Sequence, residues 1–124
     1  MSKWSHLPNA KHIDLIIAHC KANPKAWDAT HRSAWTPARI AARIATYKVK
    51  DAAPEAWDAA LDAARRMAYD AARGAILALV AWDRAGGLID LPAEQVNILA
   101  ILGDQAAILL YPAIAAMETT QEVA

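Results

Sequence analysis

Between Ala52 and Ala85 the chain is built largely from alanine, interrupted by an aromatic residue followed by aspartate: Trp57-Asp58-Ala59-Ala60, Tyr69-Asp70-Ala71-Ala72 and Trp82-Asp83. Earlier copies stand at Trp27-Asp28-Ala29 and, with leucine in the first place, at Leu61-Asp62-Ala63-Ala64. Alanine is the strongest helix former and lets helix backbones approach closely, while a few tryptophans fill the space between them. The stretch is therefore expected to form one long helix over about 52–85, whose pattern specifies packing and not chemistry. At 100° per residue, Trp57, Leu61, Ala64, Ala68, Ala71, Ala75, Leu79 and Trp82 share one side, and Glu55, Asp58, Asp62, Arg65, Arg66 and Arg73 the other. From Ala75 to Trp82 the polar side vanishes, which puts this half at the centre of the core.

Punctuation elsewhere divides the chain into further helices. Asn9 is a capping residue type ahead of Ile13, Ile16, Ile17 and Cys20, and Asn23-Pro24 ends that first helix. A short helical turn follows around 25–31. Thr36-Pro37 starts a helix reaching about Lys48, with Ile40, Ile44 and Tyr47 expected on its inner face. Gly86-Gly87 stops the long helix, Asp90 and Pro92 open the next, Gly103 closes it, and Asp104 caps a last helix bent or shortened at Pro112. The expectation is an all-α, compact bundle of about five helices around one central alanine-rich helix, with a C-terminal helical hairpin. It forms a single domain over 1–124, with 1–8 and 119–124 as flexible ends.

Composition removes several function classes. Thirteen Lys and Arg balance thirteen Asp and Glu, so extended nucleic-acid binding through phosphate neutralisation is not expected. The single cysteine, Cys20, can form no internal disulfide and lies in an apolar helical run, which points to a core residue in a reducing compartment. The start, Met1-Ser2-Lys3-Trp4-Ser5-His6, lacks the apolar run of a secretory signal, so a cytoplasmic location is expected. Val96 to Met117 is apolar and long enough to span a bilayer, but Asn97, Gly103-Asp104-Gln105 and Pro112 interrupt it. A central aspartate costs about 2.5–3.5 kcal/mol on insertion, so two short helices buried in protein are expected instead.

The candidates for chemistry reduce mostly to architecture. Asp58 and Asp62 share a helix face and could act as an acid–base pair, but Asp62–Arg66, Arg66–Asp70 and Asp70–Arg73 have the spacing of supporting ion pairs on a solvated face. His12 and His19 are seven residues apart, where ligands on adjacent turns sit three or four apart, and no H-E-x-x-H occurs. No metal or other cofactor is expected. The chain contains no G-x-G-x-x-G, no G-x-x-x-x-G-K-[ST] and no G-x-S-x-G, so no catalytic residue is assigned and no enzyme is expected.

One local feature stands above this background. Between Asp28 and Asp51 there is no acid, while Arg32, Arg39, Arg43, Lys48 and Lys50 accumulate with Trp35 and Tyr47 among them. Arg39, Arg43, Thr46 and Lys50 follow helical spacing. Such a stripe suits a phosphorylated small molecule or an acidic protein surface, with an aromatic to stack on; the bland alternative is a solvated face balanced by the acidic residues of the long helix. The candidate binding residues are Arg39, Arg43, Lys50, Trp35 and Tyr47.

The run from Ala56-Trp57-Asp58-Ala59-Ala60 through Tyr69-Asp70-Ala71-Ala72 and Leu79-Val80-Ala81-Trp82-Asp83 to Leu102-Gly103-Asp104-Gln105-Ala106-Ala107-Ile108-Leu109-Leu110-Tyr111-Pro112-Ala113 resembles small alanine-rich helical proteins of tailed bacteriophages and prophages. The likeness covers roughly the last two thirds of the chain, is of low complexity and transfers no functional residue. It implies a small protein in the host bacterial cytoplasm, acting stoichiometrically against host defence by binding a host protein or sequestering a nucleotide-like signal. A structural helical oligomer without ligand is the rival expectation, followed by an enzyme and by a small membrane-active protein. Self-association is expected in either of the first two cases.

Overall fold

The computed structural model describes residues 3–33, 35–67 and 70–123; within these, the side chains of 31–33, 35, 52, 63–67 and 121–123 are not described. The protein is an all-α bundle with eight helices among the described residues: α1 (Ala10–Ala22), α2 (Pro24–Ser33), α3 (Trp35–Ala52), α4 (Pro54–Met67), α5 (Asp70–Ala81), α6 (Ala85–Leu88), α7 (Ala93–Ile101) and α8 (Gln105–Val123).

The expected long helix over 52–85 is two helices, α4 and α5, packed against each other. Trp57 and Gly74 line the same cleft, whereas seventeen residues of continuous helix would hold them about 25 Å apart. Residues 68 and 69, between the two helices, lie outside the described residues, as do the side chains of Arg65 and Arg66 in the expected ion pairs. Alanine favours helix equally on both sides of such a break, so propensity does not mark it. Nor does the aromatic–aspartate unit repeat structurally. Trp27 and Trp57 lie within α2 and α4, Asp70 opens α5, and Trp82 follows its end.

α5 is the centre. It packs on α1, α2, α3, α4 and α8, and every residue from Gly74 to Leu79 is buried. The segment expected to be enclosed, Ala75 to Trp82, is thus buried as far as Leu79, while Val80, Ala81 and Trp82 are half-buried. Burial is uneven on α3, which turns Ala41, Ala45 and Val49 inward and leaves Ile40 60%, Ile44 37% and Tyr47 71% exposed. The expected inner face of this helix is thus its outer one. Close approach of α3 to α5 and α8 selects the small residues, because alanine lets the backbones come together where isoleucine would hold them apart.

A buried polar side chain secures the C-terminal end of α5. Asn9 does not cap α1 with its side chain. Its Nδ2 instead donates to the Leu79 carbonyl at 2.7 Å and the Trp82 carbonyl at 3.4 Å, joining the first helix to the end of the central one. Gly86 sits within α6 and does not terminate a long helix; a Cβ there would stand 2.3 Å from Asn9 Oδ1, so only glycine admits the Asn9 side chain.

α7 and α8 form the expected C-terminal hairpin. Gly103, with φ 97°, makes the turn: its N–H donates to Ala100 and that of Asp104 to Leu99, the paired bonds that satisfy the last carbonyls of α7. Asp104 Oδ1 then accepts from the Ala107 N–H at 3.2 Å, capping α8 as expected. Arg84 pairs with the same carboxylate. Burial pushes the Asp104 carboxyl up, but the Arg84 hydrogen bond and charge, with the Ala107 and Ala106 N–H groups, outweigh it and hold it below the ordinary carboxylate value. α8 runs on through buried Pro112 to Val123, past residue 119, where the tail was expected. Of the apolar side chains in the hairpin, Leu109, Leu110 and Ile114 are buried, whereas Ile98, Ile101 and Leu102 stand exposed as a ridge along α7. None of the described helices is long and apolar enough to cross a membrane.

Candidate functional site

The outer flank of α3 overhangs a cleft of about 590 Å³ walled by α3, α4, α5 and α8. α3 supplies Arg39, Arg43 and Lys50 together with Ala42, Thr46 and Tyr47; α4 supplies Trp57; α5 supplies Asp70, Ala71, Arg73 and Gly74; and α8 supplies Leu109 and Pro112. The volume falls in the range typical of small-molecule sites, roughly 300–1,000 Å³. The cleft closes tightly where α5 meets α8, since a Cβ on Gly74 would stand 3.1 Å from Leu109 Cδ2.

The lining separates into a charged rim and an apolar floor. Arg39, Arg43, Lys50 and Arg73 set four cations against the single carboxylate of Asp70, in a chain whose overall charge is zero. Cations of one sign beside low-dielectric walls focus their field into the opening, and guanidinium groups meet phosphate or carboxylate oxygens with two parallel hydrogen bonds. Arg39 and Asp70 already take part in interactions within the protein, and the Thr46 hydroxyl donates to the Ala42 carbonyl at 2.8 Å. The floor is built from Ala42, Ala71, Leu109, Pro112 and the half-buried indole of Trp57. Trp57 Nε1 is buried without a hydrogen-bond partner among the described protein atoms. Proline at 112 has no N–H to offer the Ile108 carbonyl one turn before it.

Of the residues singled out from the sequence, Arg39, Arg43, Lys50 and Tyr47 line this cleft together; the Trp35 side chain lies outside the described residues. Tyr47 stands at the rim, 71% exposed. The stripe stands beside Ile40 and Ile44 and not on the face opposite them, since successive residues are about 100° apart around a helix, and both groups are exposed because α3 buries its alanines. Sequence reasoning missed Arg73 and Trp57. It placed them on opposite sides of one long helix, and only the reversal between α4 and α5 brings them to the same cleft. The local mark of that reversal is Asp70, an acid in the first turn of α5, of the same type as Asp58 and Asp62 inside α4.

Other polar groups serve the architecture. Trp27, fully buried, donates from Nε1 to His19 Nδ1 at 3.0 Å. Burial lowers the His19 pKa, and the bond requires a free lone pair on Nδ1, so the neutral ring carries its proton on Nε2. Burial pushes the Cys20 thiol up to about 11, the behaviour of a core thiol and not of a nucleophile. Glu118 accepts the Ala93 N–H at 2.8 Å and so closes the start of α7. A second, shallower depression of about 600 Å³ near the α1–α2 junction and the end of α8 offers one cation, Lys25; its Thr119 and Thr120 hydroxyls donate to the helix carbonyls of Ala115 and Ala116. Among the described residues no three His, Cys, Asp or Glu side chains gather as a metal site requires.

No family model, no curated protein and no solved structure matches the chain.

Proposed function

We propose that the protein is a stoichiometric binding protein whose cleft between α3 and α5 captures a phosphorylated small molecule. What carries this reading is the convergence of Arg39, Arg43 and Lys50 with Arg73 of a second helix around an apolar floor. A stripe of cations on one helix is equally at home as a solvated face; cations from two helices facing a concave surface are the arrangement that anion capture needs. In the phage setting that the sequence resemblance implies, the ligand would be a nucleotide-like signal withdrawn from host defence. Carboxylates of an acidic host protein would meet the same cations. Native mass spectrometry of the protein purified from expressing cells tests the reading. A retained phosphorus-containing small molecule, lost in an Arg43→Glu/Arg73→Glu variant that still folds, is the expected result. A retained protein would select the host-protein form. If nothing is retained and inorganic pyrophosphate does not bind in calorimetry, the reading fails.

A second reading rests on a different surface. Ile98 and Ile101 of α7 and Leu102 just past its end are 53%, 76% and 76% exposed, an apolar ridge of the kind that symmetric homo-oligomers cover. On this reading the protein assembles with itself through α7. Light scattering at micromolar concentration should give a multiple of the 13.4 kDa chain mass, and Ile101→Asp with Leu102→Asp should return it to monomer.

A further inference from the structure

The floor of the cleft narrows the class of ligand, on the assumption that the anion-binding reading holds. We infer that the cleft takes a phosphate ester carrying a planar heterocycle, that is, a nucleotide and not a bare phosphate or a sugar phosphate, and that Trp57 is the residue that distinguishes them. Inorganic phosphate or pyrophosphate would satisfy the cations at the rim and leave the rest of a cleft of about 590 Å³ unfilled. Its deeper lining is Ala42, Ala71, Leu109, Pro112 and the indole of Trp57, which offers apolar contact and one aromatic face. That surface rewards a flat, weakly hydrated ring, and ring stacking on an aromatic side chain tolerates any base.

The second observation is the partial burial of Trp57 at the same wall. Its Nε1 is enclosed in the protein with essentially no accessible surface, so the half-buried indole meets a ligand through the carbon surface of its ring and not through its N–H. The charge placement fits the same orientation. Arg39 already engages another group in the protein, so the phosphate falls to Arg43, Lys50 and Arg73 at the mouth, with the ring inward against Trp57.

The test uses the whole chain with three probes: pyrophosphate, ribose 5-phosphate and a purine nucleoside diphosphate. Calorimetry should give about tenfold tighter binding for the nucleotide than for either other probe, from ring stacking. In a 1H–15N spectrum, where the five tryptophans give separate indole signals assignable by nuclear Overhauser effects, the Trp57 Nε1–H should shift with the nucleotide, through the ring current of the stacked base, and stay in place with pyrophosphate. Trp57→Leu should lose the advantage of the nucleotide while keeping pyrophosphate affinity, which also reports that the variant is folded. Equal affinity for nucleotide and pyrophosphate, or an unmoved Trp57 indole signal at saturation, overturns the inference and leaves anion binding standing. Failure of all three probes to bind overturns both. The indole signal of the unmutated protein decides the matter even if Trp57→Leu does not fold.

Discussion

α5 and α3 lie against each other, yet they follow opposite rules. α5 has no polar side over its second half, and every residue from Gly74 to Leu79 is enclosed. On α3, Ile40, Ile44 and Tyr47 are left outside while Ala41, Ala45 and Val49 go in. In a bundle built on alanine, the faces that meet are chosen by how closely the backbones can approach, and bulk is pushed outward unless a cavity needs filling. Apolar size is therefore a poor guide to the inside of α3, although it reads α5 correctly. The residues displaced outward on α3 border the cationic cleft, so this packing rule also shapes the candidate site.

The largest effect expected from this contrast is on stability. Leu79→Asp puts an uncompensated carboxylate at a position 1% exposed and should unfold the domain, a loss above about 4 kcal/mol. Ile40→Asp, 60% exposed, should stay within about 0.5 kcal/mol, as surface changes usually do. Urea titrations of the two variants check this, and equal damage would break the comparison.

Next in size are the contacts that secure the end of α5. Asn9→Ala removes the donor to the Leu79 and Trp82 carbonyls and should cost about 1–3 kcal/mol. Gly86→Ala forces a Cβ against Asn9 Oδ1 and should destabilise by a comparable amount, with little further loss when both changes are combined, since they break the same contact.

A smaller effect follows from His19. Its folded pKa lies below the ordinary histidine value because of burial, so as the pH falls through about 6.5 the unfolded chain takes up a proton that the folded one refuses. Stability contributed by the neutral ring is present above that pH and declines as the pH drops, until the folded ring is itself protonated. Chemical denaturation at pH 7.5 and 5.5 should show a steeper loss for the unmodified protein than for His19→Gln. Identical slopes would mean that the Trp27 bond does not depend on the protonation of His19.

The smallest effect on stability belongs to the cleft. Arg43→Glu with Arg73→Glu, both on exposed residues, should shift the melting temperature little while abolishing anion binding, so that loss of function separates from loss of fold. A large drop in melting temperature would show that these cations are structural.

The amino-acid sequence by itself determined the all-α class, the enclosure of the segment expected over 75–82 as far as Leu79, the capping by Asp104, the glycine turn of the C-terminal hairpin and the grouping of Arg39, Arg43 and Lys50. Each of these is local: periodicity, a cap or a positive-φ residue acts within a turn or two of helix. Tertiary structure alone decided the rest. The division of the expected long helix into α4 and α5 was hidden because alanine supports helix on both sides of a break. The outward turn of Ile40 and Ile44, the diversion of the Asn9 amide to α5 and the requirement for glycine at position 86 all come from helix-to-helix distances, which no single helix specifies. The cleft itself belongs to this second group: its α3 rim was legible as a stripe, but Arg73 and the Trp57 indole join it only once the chain has folded back, because their nearness is a property of packing and not of spacing.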